Sequence, residues 1–228
     1  MMEYKKYLSA LTRYALLFFL SVWAFSSFCQ THHNIREIDS AFYAGKIDSL
    51  KKVFGYNKTL IPEQELPVLI ALSYFPELDS TPIVFKRKKI KTTLNTRPAF
   101  WSLIFRKKAN RKYIIRINNK TNDSLVLFDA VPFNAKIGLL GHEFSHIIDY
   151  SNKNSFGVAG RGWSYRNNKQ KELFEKEIDS ITISRGLGWQ LYDWSEYVLN
   201  KPGARQSYKT FKKNIYLEPE EIKEILQR

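Results

Sequence analysis

The segment His142-Glu143-Phe144-Ser145-His146 sits in an otherwise apolar run from Gly138 to Ile148, and its residue types and spacing could do chemistry. On a helix the two histidines lie one turn apart on one face, so both imidazoles reach one point, while Glu143 projects beside them. That is the donor set of a divalent metal ion with a general base at hand. In a chain with only four His, residue frequencies give a chance match on the order of 0.004 times. A catalytic zinc takes three protein ligands and keeps a fourth position for water, so a third donor must come from elsewhere.

The remaining histidines, His32 and His33, stand just after an apolar leader and read as solvated tail. A carboxylate is the better source. The helical pattern from Lys171 to Ser184 carries Glu172, Glu175, Glu177 and Asp179 beside an apolar stripe of Phe174, Ile178 and Ile181. Glu175 and Asp179, spaced i and i+4, run along one border of that stripe, and Glu177 lies on the other as runner-up. Asp149 shares a face with His146 and could support the site or serve as a remote alternative ligand.

His142-Glu143-x-x-His146 followed by Glu175-x-x-x-Asp179 resembles the gluzincin group of zinc metallopeptidases, which includes thermolysin-like and CAAX-processing members. The resemblance covers Lys136 to Ser184. It implies an α+β, zincin-like fold with one zinc ion, Glu175 as the third ligand, and Asp179 bonded to the free nitrogen of His142. It also implies a strand upstream of the motif helix as the substrate edge, a place for Tyr113–Ile117 or Leu125–Phe128. Asn152 stands where the metzincin pattern needs a third His. No His lies downstream to stabilise a transition state, which leaves Tyr165, Tyr208 or Tyr216 for that role. The expected chemistry is peptide-bond hydrolysis by a zinc-bound water with Glu143 as general base, on an extended peptide or protein added to the sheet edge. Two rivals are a zinc-stabilised envelope binding protein that does not hydrolyse, and a peptidase held latent by His32 or Cys29.

The elements that position these residues are legible as texture. Apolar spacing from His32 to Tyr56 and from Pro67 to Tyr74 predicts packing helices. From Pro82 to Phe128 the runs Ile83–Phe85, Phe100–Phe105, Tyr113–Ile117 and Leu125–Phe128 predict a small, mostly antiparallel sheet packed on the motif helix. Beyond Pro132, three helices are expected at Phe133–Tyr150, Lys169–Ser184 and Gly188–Leu199, with Gly-rich loops at Gly157–Gly162 and Gly186–Gly188. A tail helix opens at Pro219. Gly138 and Gly141 predict close approach of another backbone to the motif helix.

The 228 residues suit one domain, and 44% hydrophobic with 15% aromatic content excludes wholesale disorder. The single Cys29 excludes an intrachain disulfide and any Cys-based zinc cluster. Lys5, Lys6 and Arg13 precede an apolar run from Ala15 to Phe25 and small residues at Ser26 and Ser27, the pattern of a signal peptide cleaved after residue 26 or as late as 29. The run is shorter than the ~20 residues of a membrane span, so an exported periplasmic or extracellular domain over 30–228 is expected rather than an anchored one. Losing three basic and one acidic residue with that leader takes the net charge from +14 to +12. Thirteen basic residues and no acidic one lie between Ser80 and Asn122, from Lys86 to Lys120. They are either solvated strand faces or attraction to an anionic envelope surface, while nucleic acid is not an expected partner of an exported protein. Asn57, Asn119 and Asn122 are glycosylation acceptors only in a eukaryotic secretory pathway.

Overall fold

A computed structural model of the chain describes residues 34–120, 126–201 and 203–228. The leader, with Cys29, His32 and His33, lies outside the described residues, as do Asn122 and Leu125. No described helix is long and apolar enough to cross a membrane.

Two short helices, α1 (Ser40–Ala44) and α2 (Ile47–Phe54), replace the single helix suggested by the first apolar stripe. Asp39 caps α1 by accepting from Ala41 N, and Gly45 ends it. The strand β1 (Lys58–Thr59) follows, then the almost wholly apolar α3 (Glu65–Leu72), buried from Pro67 to Leu72. Next come β2 (Ile83–Lys88), β3 (Leu94–Pro98), α4 (Phe100–Phe105) and β4 (Tyr113–Asn118).

The four strands form one sheet in the order β1-β2-β4-β3. β1 pairs with β2 and β2 with β4 in parallel, and only β3 with β4 is antiparallel. The sheet is therefore mostly parallel, against the antiparallel expectation. Chain-adjacent β2 and β3 do not form a hairpin; β4 inserts between them. Tyr113, Ile115 and Ile117 are buried and Ile114 is half-buried, as suits a strand covered on both sides. Two expected strands are not strands. Phe100–Phe105 is the helix α4, since a short apolar run fits either periodicity; here only Ser102 and Leu103 turn inward. Val126 and Leu127 are irregular and run into a single helical turn at Phe128–Ala130.

The C-terminal half is helical: α5 (Phe133–Asn152), α6 (Ser155–Ser164), α7 (Asn168–Thr182), α8 (Gly188–Asn200), α9 (Gln206–Ile215) and α10 (Pro219–Leu226). α5 lies between β3 and α3 on one side and α7 and α8 on the other. It is consequently buried from Ile137 through Tyr150. A Cβ at Gly138 would stand 2.1 Å from Gln190 O, so the predicted close approach is the backbone of α8. The buried Arg111 satisfies the far end of α5, its Nη1 donating to Tyr150 O at 3.1 Å and Lys153 O at 2.7 Å.

Gly157, Gly160 and Gly162, expected in a loop, lie in α6. Tertiary contacts override their low propensity: Val158 is buried and Arg161 reaches both Asp149 and Glu177. Between α7 and α8 the chain passes through a wide turn at Ile183–Leu187, where Gly186 adopts φ 88°, a region that a side chain would disfavour. α9 is a helix that sequence texture does not announce, while α10 starts at Pro219 as expected, under a reciprocal Glu218–Glu221 cap.

Candidate metal centre

His142, Glu143 and His146 all come from the buried middle of α5, and Glu175 and Asp179 from the face of α7 that packs on it. The α7 start is fixed by Asn167, whose side chain accepts from Lys169 N and Gln170 N. The two helices are tied below the site by Ser145 and Thr182, whose hydroxyls lie 2.9 Å apart.

His142, His146 and Glu175 form a buried cluster that can hold a metal ion. His142 Nε2 and His146 Nε2 are 3.2 Å apart, and Glu175 Oε2 lies 3.2 Å from the first and 3.4 Å from the second. Three donors tetrahedrally arranged at zinc distances of ~2.0–2.1 Å stand about 3.3–3.4 Å from one another, so the triangle has the right size. Glu175 is only 1% exposed and the histidines 5% each. Glu175 Oε2 has no hydrogen-bond partner among the described residues, nor have His146 Nδ1 and Glu143 Oε2. Unpartnered donors and acceptors at such depth are costly unless something else engages them.

The surrounding groups orient these atoms. His142 Nδ1 donates to Asp179 Oδ1 at 2.7 Å, which turns the Nε2 lone pair toward the triangle. Asp179 is held in turn by Leu217 N, 3.0 Å from Oδ2. The Tyr165 hydroxyl donates to Glu175 Oε1, leaving Oε2 for the cluster. Tyr150 stacks on the His146 ring, Phe174 tilts against it, and Tyr216 tilts against His142. Burial alone would raise the Glu175 carboxyl, but the neighbouring His146 and His142 overcome it and hold the group well below the usual carboxylate range. Burial and the nearby Glu175 push the Tyr165 and Tyr216 phenols upward, so both remain donors at working pH.

Other candidates fall away from the cluster. Glu177 pairs with Arg161 at 2.7 Å. Asp149 is bound by Lys153 and Arg161 at 2.5 and 2.8 Å, and Glu172 faces Lys169 and Lys176. Of the three tyrosines, Tyr165 and Tyr216 touch the cluster, whereas the Tyr208 hydroxyl lies 3.4 Å from Thr93 Oγ1. Tyr113–Ile117 is interior to the sheet, and in Leu125–Phe128 the described residues 126–128 form no strand, so neither supplies the substrate edge. β3 is the terminal strand nearest α5, paired only with β4 among the described residues. Beside His142 and Glu143 lies a cavity of about 40 Å³ walled by Leu139, Leu191, Trp194, Val198 and Tyr216. Sequence patterning did not reveal β3, the Tyr150 stack or the Leu217 amide. The first has a Pro and no apolar alternation, and the last is a backbone group that no side-chain pattern encodes.

Taken together, a buried His-His-Glu donor set with a second carboxylate on one imidazole is consistent with an HExxH…E arrangement. Comparison with family models, with curated proteins and with solved structures finds no match to the chain.

Proposed function

We propose that the chain is an exported zinc-dependent peptidase in which His142, His146 and Glu175 hold the ion and Glu143 is the general base. The observation that carries this reading is Glu143 itself, 4% exposed, with Oε2 unpartnered among the described residues and adjacent in sequence to a zinc-sized donor triangle. A purely structural site has no need of a buried carboxylate there, and burying one costs several kcal/mol, about 2–7 for a polar group without a partner. That supports the enzyme reading over a zinc-stabilised binding protein.

Zinc, when bound, supplies a Lewis acid for a scissile carbonyl and favours deprotonation of water. The remaining work falls to the chain. Asp179 holds the His142 tautomer, and Tyr165 holds Glu175 with one oxygen free. Glu143 accepts the proton of the attacking water and returns it to the leaving amine. Tyr216, kept protonated by burial, is the phenol beside His142 best placed to donate to a developing oxyanion. An extended peptide would lie along the outer edge of β3, bonded through its main chain.

The test is zinc content by elemental analysis and cleavage of a peptide library by purified protein. One zinc per chain and turnover are expected. Glu143→Gln should retain zinc and lose hydrolysis by about 10²–10⁴-fold. Absence of bound zinc in protein prepared without chelators sinks the metal reading; full turnover in Glu143→Gln removes that residue from the base role.

A further inference from the structure

The short helix α4 turns its apolar side outward. Phe100, Trp101, Ile104 and Phe105 are 66, 68, 52 and 75% exposed. At about 100° per residue they fall within about 140° of arc, so they form one face rather than scattered exposure. The Trp101 and Phe105 rings stack at 5.7 Å and Phe100 meets Trp101 edge-on at 5.2 Å. The opposite side anchors the helix: Ser102 Oγ accepts from Lys112 N at 2.7 Å, and Leu103 O accepts from Ser155 Oγ at 2.8 Å. The second bond sets the start of α6 beside α4, where Phe156 is 88% exposed.

Exposed cations flank α4 along the chain, the Lys108 ammonium also donating to Asn152 O at 3.2 Å. Arg97 precedes α4, Arg106, Lys107 and Lys108 follow it, and Lys112 lies alongside, all exposed. None of the five is in an ion pair among the described residues. Aromatic rings amid long basic side chains match the boundary of an anionic bilayer, with rings at headgroup level and charges on the phosphates. Charge argues against the other occupants. A second copy would bring the same cations, and residues 1–33 carry Lys5, Lys6 and Arg13 against Glu3 alone.

We propose that α4 and its flanking cations are a docking surface for an anionic lipid bilayer. α6, ~15 Å long at 1.5 Å per residue, runs from this surface to Tyr165 and so to Glu175. Docking would hold the proposed metal centre close to the membrane.

The experiment is flotation of the full chain with vesicles of phosphatidylcholine alone, or mixed with phosphatidylglycerol at about three to one. Binding to the anionic vesicles only, weakened by salt, is expected. Trp101→Ser with Phe105→Ser should reduce it at least about tenfold. Lys107→Gln with Lys108→Gln should reduce it about fivefold per charge removed. Phe42→Ser, an exposed aromatic on α1 rather than α4, should change nothing. The fluorescence component lost in Trp101→Phe should be quenched by brominated acyl chains. Equal binding to neutral vesicles, no binding, or binding indifferent to the α4 variants overturns the proposal. So does a dimer in sedimentation that Trp101→Ser dissociates, which would make the face a self-association surface.

Discussion

Asp179→Asn isolates the second carboxylate of the site at nearly constant volume. Asp179 is 2% exposed and serves two donors with its two oxygens: His142 Nδ1 at 2.7 Å and Leu217 N at 3.0 Å. An asparagine can offer its carbonyl to only one; its NH₂ then faces the other N–H, donor to donor. If the imidazole loses, its tautomer is no longer fixed and Nε2 no longer reliably presents a lone pair to the cluster. If the amide loses, the chain after Tyr216 shifts from the site. Loss of such a supporting group weakens metal affinity about 10–100-fold, or about 1.4–2.8 kcal/mol. Competition for zinc against a chromophoric chelator measures this directly. Glu177→Ala is the matched control, because Glu177 faces Arg161 instead of the cluster. Wild-type zinc affinity in Asp179→Asn, or an equal loss in Glu177→Ala, would refute the assignment of Asp179 as the residue that orients His142.

Without metal, burial would lower His142, yet its hydrogen bond to Asp179 and the negative charges of Asp179 and Glu175 raise it to about 10. It is therefore protonated at pH 7 and must release that proton to bind zinc, so affinity should rise about tenfold per pH unit below that value. Calorimetry in buffers of different ionisation enthalpy should show about one proton released per zinc; none would contradict the His142 assignment. Gly138→Ala places a methyl 2.1 Å from Gln190 O and 2.5 Å from Leu191 N. Forcing α5 from α8 should cost about 2–3 kcal/mol and lower Tm by about 4–12 °C, and an unchanged Tm would deny the close approach. Lys58→Met removes the Lys58 ammonium, whose three N–H donors are shared among the carbonyls of Tyr56, Leu78, Asp79 and Thr81 at 2.8–3.0 Å. A loss of about 1–3 kcal/mol in urea unfolding is expected; an unshifted midpoint would mean water replaces the ammonium at no cost.

Local information carried much of the metal centre and most of the helices. His142, Glu143 and His146 lie within five consecutive residues of one helix, so helical periodicity alone aligns them, and apolar flanks say that the helix is buried. Glu175 and Asp179 could be nominated because two carboxylates beside an apolar stripe conflict with a solvated face. Their union with α5 is a packing event, reached through Gly141, which faces Thr182, through Gly186, and through the Ser145–Thr182 contact. The strand order was not legible, because pairing partners are chosen by which strand can be covered on both sides, a property of the assembled layers. Burial of β4 made it central and left β3 at the edge beside α5. The run Phe100–Phe105 shows the same limit from the other side. Its composition fits a strand core, yet only its fixed contacts to Lys112 and Ser155 decide that it is a helix with four apolar side chains turned to solvent. Residue spacing determines which donors can share one face; only tertiary contacts decide what that face meets.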